Sequence, residues 1–313
     1  MNTESNTLPE SAVLDSRYSS EKTRPLFWSV RRELWENRSI YIAPLIVAGV
    51  VLFGYLISSF HLPERRRALL LLDPAQQRAH VEQPYDIVAM MILMTAFVVG
   101  IFYCLDALHG ERRDRSILFW KSLPVSDFTT VLSKVLIPMA VLPGLVFVII
   151  ASVQFIMFLM SSVILLANGL NPGVTWTHLH FFQSSLVLLY SLVALALWHA
   201  PLYGWLLLVS GWARRATFLW AVLPFAAISV LEKIALGTTH FGALIGNRLI
   251  GFAPAAFGFN SQDHMHSKMV AIESLSQLTP GRFLSDPGLW FGLIVAAAFL
   301  AAAIRLRRYR GPI

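Results

Sequence analysis

Six stretches without a single Asp, Glu, Lys or Arg dominate this chain: Ser39–Phe60, Ile87–Leu105, Val135–Ala167, Phe181–Gly211, Ala216–Leu231 and Gly288–Ile304. They run from 16 to 33 residues, and a helix needs about 20 apolar residues to cross a bilayer core. Hydrocarbon offers no partner to a bare N–H or C=O, so segments of this kind fold as helices that satisfy their own backbone. The expected fold is therefore all-α integral membrane, with six transmembrane helices. The two longest stretches are too short for two spans and a turn, and read as tilted helices that protrude from the bilayer. Pro138, Pro143, Pro201 and Pro224 fall inside spans, where they kink or locally open the helix.

Composition agrees. Of the 313 residues, 56% are hydrophobic and 14% charged, against about 25% charged in soluble domains. The net charge of +7 does not indicate nucleic acid, because the arginines sit beside apolar runs rather than on a soluble basic face. The single cysteine, Cys104, excludes an internal disulfide or a multi-cysteine metal site. Residues 1–25 are polar, with neither an apolar core nor a small-residue cleavage site, and read as a flexible cytoplasmic tail rather than a signal peptide. Residues 26–313 form the six-span domain.

Basic residues orient the spans. With the N-terminus in the cytoplasm, 17 of the 25 Lys and Arg fall in inside segments. An even number of spans then puts both termini inside, as expected for a multi-pass protein of a bacterial inner membrane. Arg65–Arg67 runs against this bias.

Leu26–Arg38 reads as an interfacial helix (26–38). Phe27, Val30 and Leu34 share a face, Trp28 and Trp35 flank it, and Arg31 projects into it and has to snorkel toward the headgroups. Leu62–Asp86 reads as a polar external loop, and Asn168–His180, with its Asn-Pro-Gly turn signal, as a short external connection. The segment 232–287 is a long external loop. Within it Ile234–Phe259 is apolar but broken by five glycines and Arg248, which suits a re-entrant hairpin shielded by protein. Gly242 and Gly246 have the spacing that permits close helix approach. A short helix is expected near Met269–Leu278.

The most informative piece lies in the cytoplasmic segment 106–134. Glu111, Arg112, Arg113, Asp114 and Arg115 make a dense charge cluster, followed by Ser116 and the apolar run Ile117, Leu118, Phe119, Trp120. Pro124 breaks the helix before it, and Ser126 caps a new one in which Phe128, Val131, Leu132, Val135 and Leu136 follow helical spacing. Bulky apolar groups beside charges need a dock: the membrane interface, or a groove on a cytoplasmic partner.

These residues resemble a known family. Glu111, Arg112, Asp114, Ser116 and Leu118, followed by Leu123, Pro124, Val125 and Ser126, look like the first intracellular segment of type-2 ABC transporter permeases, the six-span membrane subunits of exporters. The resemblance extends loosely over the chain, since the family also has an interfacial helix before the first span and a re-entrant apolar pair before the last. It implies that Glu111 to Ser116, Leu118 and Phe119 form a coupling helix that docks on a separate ATPase, with Phe27, Trp28, Arg31 and Trp35 on the interfacial helix. It also implies two permease copies, identical or not, with two ATPase copies that hold ATP and magnesium. The chain departs from larger family members in lacking a big external domain. It has no G-x-x-x-x-G-K-[ST] motif, so it carries no phosphate loop of its own and is expected to bind no cofactor and to be no enzyme.

Other features are weaker. His178/His180 and His264/His266 have a spacing that suits a metal on an extended loop, but no H-E-x-x-H accompanies them. Gln154 and Tyr190 either line a polar pathway or tie helices together. His199, deep in a span, is either functional or a neutral histidine bonded to a neighbouring helix. A membrane enzyme is disfavoured by the lack of acid or nucleophile constellations. An ATP-independent carrier is disfavoured by the lack of intramembrane charge and internal repeats, and an accessory protein is the remaining rival.

Overall fold

The computed structural model describes residues 24–69, 73–122, 125–171, 173, 181–257 and 278–310. Outside these lie residues 1–23 of the expected tail, Leu123 and the Pro124 break, Pro172 of the turn signal, the two His pairs and nearly all of the expected helix Met269–Leu278.

The described chain is helical, with no strand. Its elements are α1 Pro25–Glu36, α2 Ser39–Ser59, α3 Leu62–Leu69, α4 Pro74–Ala107, α5 His109–Arg113, α6 Ser116–Ser122, α7 Asp127–Leu136, a π-helical turn Ile137–Val141, α8 Leu142–Ala167, α9 Phe181–Trp212, α10 Thr217–Leu236, α11 His240–Ile250, α12 Phe252–Phe257, α13 Pro280–Ser285 and α14 Pro287–Tyr309. Six helical runs among the described residues are long and apolar enough to cross a membrane: α2, α4–α5, α7–α8, α9, α10 and α14. The fold is all-α membrane, as its charge-free stretches require.

α2, α4, α8 and α9 surround the main core, in which Ile40, Ile92, Cys104, Ile150, Met157 and Leu207 are almost wholly buried. α14 packs along α9. The approach is close at Gly204, where a Cβ would meet the Ala296 carbonyl oxygen at 3.2 Å and its Cα at 3.4 Å. Gly242 and Gly246 play no such part: a Cβ on Gly242 would meet only the Ser229 hydroxyl, at 3.8 Å, and one on Gly246 would meet nothing within 4 Å.

Three stretches differ from expectation. Leu62–Asp86 is not an open loop, because α3 and the first turns of α4 are helical. Gln, Arg, Ala and Glu favour helix despite their polarity, Pro74 sits in the first turn where its missing N–H costs nothing, and Arg78 pairs with Glu82 at 2.9 Å. Val81, Tyr85, Val88 and Ile92 then bury one stripe of α4. α10 runs past Leu231 to Leu236 and stops where Gly237 turns left-handed, φ 65°. The last span runs past Ile304 to Tyr309, carrying Arg305, Arg307 and Arg308 as helical residues.

Pro138 does open its helix. It cannot donate to the ladder, and the backbone there widens into the π turn 137–141 between α7 and α8. Beyond Gly237 the chain folds back along α10. Glu232 accepts hydrogen bonds from Thr238 Oγ1 (2.8 Å), His240 N (2.7 Å) and Phe241 N (2.8 Å), which caps α11. Phe241 stacks on Phe225. α12 continues from α11 onto α9 and α13, so 240–257 forms a pair of short helices leaning on the bundle.

Candidate functional site

α1 is amphipathic, but its inward stripe is half-buried Val30 and Leu34 with fully buried Glu33. Phe27 and Arg31 do not belong to that stripe. Both lie on the exposed face with Trp28 and Trp35, where the Arg31 guanidinium sits 5.3 Å from the Trp28 ring and 4.6 Å from the Trp35 ring. Helical phase explains this, since Glu33 lies three residues past Val30 and takes the inward position.

Glu33 is 0% exposed. A carboxylate buried that deeply needs charged partners and donors. Its Oε1 accepts from Lys134 Nζ (2.8 Å) and Arg32 Nη2 (2.7 Å), and its Oε2 from the Tyr103 hydroxyl (2.9 Å). Glu111 shares the same cations, at 3.0 Å from Lys134 and 3.1 Å from Arg32, and its other oxygen accepts from Arg307 Nη1. Arg307 Nε in turn donates to Asp127 Oδ1 at 3.1 Å. Three acids and three bases thus join α1, α5, α7 and α14 at one end of the bundle, with α4 tied in through the Tyr103 hydroxyl. Burial works against the charge on Arg32, but Glu33, then Glu111 and Glu36, outweigh it and hold its pKa above the usual arginine value.

Further bonds fix the segment between α4 and α7. Ser210 Oγ accepts from the backbone N–H groups of Leu108 (3.0 Å) and His109 (2.9 Å), and Arg112 Nη1 donates to the carbonyls of Gly211 (2.8 Å) and Ala213 (3.3 Å) at the end of α9. A cation there satisfies carbonyls that the helix end leaves open. Lys121 Nζ reaches the carbonyls of Arg308 and Arg310 at 3.4 Å. The Arg32 guanidinium lies 3.9 Å from the Trp120 ring centroid. Arg115, at φ 59°, makes the left-handed turn that swings α6 out from α5.

These contacts divide the expected docking residues into two sets. Glu111 and Arg112 are buried and bonded inside the chain, so they offer nothing to a partner's surface. Arg113, Asp114, Arg115, Leu118 and Phe119 are exposed, Phe119 at 60%. Ser116 is half-buried, its hydroxyl 3.4 Å from the Glu111 carbonyl, and Ile117 fixes α6 to the body as a fully buried anchor. The Ser126 cap is as expected, accepting from Thr129 N at 3.1 Å.

Glu33, Tyr103, Asp127, Lys134 and Arg307 were not among the residues singled out from the sequence. Their signal is a polar side chain in phase with an apolar stripe: Lys134 lies between Val131 and Val135, and Arg307 four residues after buried Ala303.

Gln154, Tyr190 and His199 each bond a backbone carbonyl on another helix. Gln154 donates to Tyr85 O (3.4 Å) and the Tyr190 hydroxyl to Ala256 O (3.0 Å). The His199 ring nitrogens lie 2.9 Å from Leu195 O and 3.1 Å from Leu249 O. Each is engaged as a tie between helices, and Tyr190 and His199 both hold the α11–α12 pair against α9. Among the described residues no three His, Cys, Asp or Glu side chains gather as metal ligands.

Fold and cluster together define a polytopic all-α membrane protein with a buried ionic junction at one end and an exposed apolar-basic surface beside it. No family model, curated protein or solved structure matches the chain.

Proposed function

We propose that the chain is the membrane-spanning permease subunit of an ATP-driven exporter of the type-2 ABC class. It sits in a bacterial inner membrane with both termini in the cytoplasm and pairs with a second permease, identical or not. A separate ATPase chain holds the ATP and magnesium. This chain binds no nucleotide and catalyses no reaction.

One observation carries the reading: the segment that resembles a coupling helix is wired by buried charge to the rest of the bundle, yet presents Leu118 and Phe119 outward. An apolar surface rimmed by Arg113, Asp114 and Arg115 suits a protein groove, with charge setting register and apolar burial supplying affinity. A push on α6 passes through Glu111 to Lys134 and Arg307, at the ends of the third and last spans, and through Arg32 and Glu33 to α1. Pulling any one charge away unbalances a buried cluster whose partners are shared, which is costly, so the elements move together. The π turn at 137–141 sits just beyond Lys134, where such a movement has a ready hinge.

The test is co-purification from the native host in mild detergent. A soluble ATPase is expected to accompany the wild-type chain and to be lost with Phe119→Ala combined with Arg113→Glu, while the folded chain survives. Absence of any ATPase with the wild type overturns the reading.

A further inference from the structure

Away from the ionic junction, about 20 residues earlier along α14 and hence about 30 Å along its axis, a cavity of about 490 Å³ lies between the α11–α12 pair and the start of the last span. Trp198, Asn247, Gly251, Arg282, Ser285 and Asp286 are among its lining residues. Trp198 is 4% exposed, yet its indole N–H has no acceptor among the described residues. The Arg248 guanidinium lies across the same ring, 4.5 Å from its centroid. One of its terminal nitrogens donates to Gly288 O at 3.3 Å; the other, Nη2, is buried without an acceptor. That nitrogen occupies the space a side chain at position 292 would take, and glycine there makes the arrangement feasible.

Buried donors without acceptors are rare in folded chains and mark places where something else supplies the acceptor. Here two belong to one stacked pair, the indole N–H of Trp198 and Nη2 of the guanidinium that lies over its ring. The charge around them is net positive: Arg248 and Arg282 face Asp286, one of whose carboxylate oxygens is already taken by the Gly288 N–H at 2.8 Å. Behind the lining, Trp198 packs in a buried apolar cluster with Phe257, Phe283 and Leu289, and Pro254 and Ala255 add apolar surface to the cavity itself. A guest suited to this lining carries an oxyanion for the indole N–H and Arg282.

We propose that this cavity is a binding site for an anionic oxyanion group, a phosphate or carboxylate, held by Trp198 Nε1 and Arg282, with Arg248 supplying charge from behind the ring. The site is independent of any docked ATPase. The oxyanion comes either from the headgroup of an anionic lipid or from a free solute.

The experiment uses the full chain in nanodiscs of phosphatidylcholine with or without phosphatidylglycerol, and in neutral detergent with inorganic phosphate against chloride. Lipid retention is read by native mass spectrometry and stability by thermal unfolding. Losing one charge-assisted bond weakens binding by about tenfold or more, so Trp198→Phe and Arg282→Gln are each expected to cut the preference for phosphatidylglycerol, or the protection by phosphate, by that factor. Arg282 lies on the exposed rim and its change leaves the fold intact, so it keeps the test valid if Trp198→Phe loosens the helix pair. Retention of phosphatidylglycerol alone identifies a lipid headgroup, and protection by phosphate alone a solute. No preference for either in the wild type, or an equal preference in both variants, overturns the proposal.

Discussion

Lys134 Nζ and Glu33 Oε1 are 2.8 Å apart, and the two residues are 101 positions apart in the chain. Lys134 is 2% exposed and Glu33 0%. Removing one partner unbalances the buried cluster by one charge; Glu33 keeps Arg32 and Tyr103, and Lys134 keeps Glu111, so the cost approaches but does not exceed the roughly 3–5 kcal/mol of a charge left wholly unpaired. Lys134→Met and Glu33→Gln are therefore each expected to lower the thermal unfolding midpoint sharply in detergent. The double variant Glu33→Leu with Lys134→Met is expected to lose less than the sum of the singles, because it removes one charge of each sign and leaves Glu111 with Arg32 and Arg307. A strictly additive double variant would show that the pair contributes nothing as a pair.

Beside this junction the outward residues answer differently. Leu118→Ala and Phe119→Ala alter exposed groups and are expected to change stability by no more than about 0.5 kcal/mol. Glu111→Ala, about two turns away in sequence, is expected to destabilise like the Lys134 change. If ATPase docking follows Phe119, binding falls by about 2 kcal/mol or more with stability untouched. Thermal unfolding and pull-down on the same preparations separate these effects.

The spans were readable because their signal is local. Absence of charge over some 20 residues needs no knowledge of neighbours, and α2 begins at Ser39, where its apolar stretch begins. The Ser126 cap and the opening at Pro138 were likewise set by one residue's chemistry. The junction was only half readable. Glu111 stood out in a charge cluster, but whether it faced a partner or the chain's own Lys134 depends on how α1, α7 and α14 meet. Residues 62–86 misled because their polarity suggested a loop, whereas Val81, Tyr85 and Val88 each bury one face of a mostly polar helix. Gly204 was missed for a related reason: a lone glycine in a span is unremarkable until Ala296 is known to lie against it.

Gly204 provides a steric test. A Cβ at this position meets the backbone of Ala296 at 3.2–3.4 Å and Phe299 Cβ at 3.4 Å, and backbone yields less readily than a side-chain tip. Gly204→Leu is expected to separate α9 from α14 and cost about 1–3 kcal/mol or more by overpacking. Gly49, inside α2, is the control, because a Cβ added there would meet nothing within 4 Å. Gly49→Ala is expected to stabilise by up to about 1 kcal/mol through helix propensity. Unfolding curves for the two variants should therefore shift in opposite directions.

Two polar side chains of α9 hold the α11–α12 pair, and their bonds are not equivalent. The Ala256 carbonyl that accepts from the Tyr190 hydroxyl also accepts from Thr279 Oγ1 at 3.1 Å and Thr279 N at 3.4 Å. Tyr190→Phe leaves that carbonyl with donors, so its cost is the net value of one hydrogen bond, about 0.5–1.5 kcal/mol. Leu249 lies in the last turn of α11, where carbonyls lose their helical partners, and His199 is the side chain that reaches it. A neutral imidazole donates from one nitrogen only, and donation to Leu249 O is the choice that satisfies an otherwise open group. His199→Phe keeps the ring contacts with Phe97 and Phe252 but strands that carbonyl, at about 1–3 kcal/mol. Hydrogen exchange across 240–257 is expected to accelerate more in His199→Phe than in Tyr190→Phe, with the ionic end unaffected in both. Equal acceleration would mean that Leu249 O finds another donor when His199 is gone.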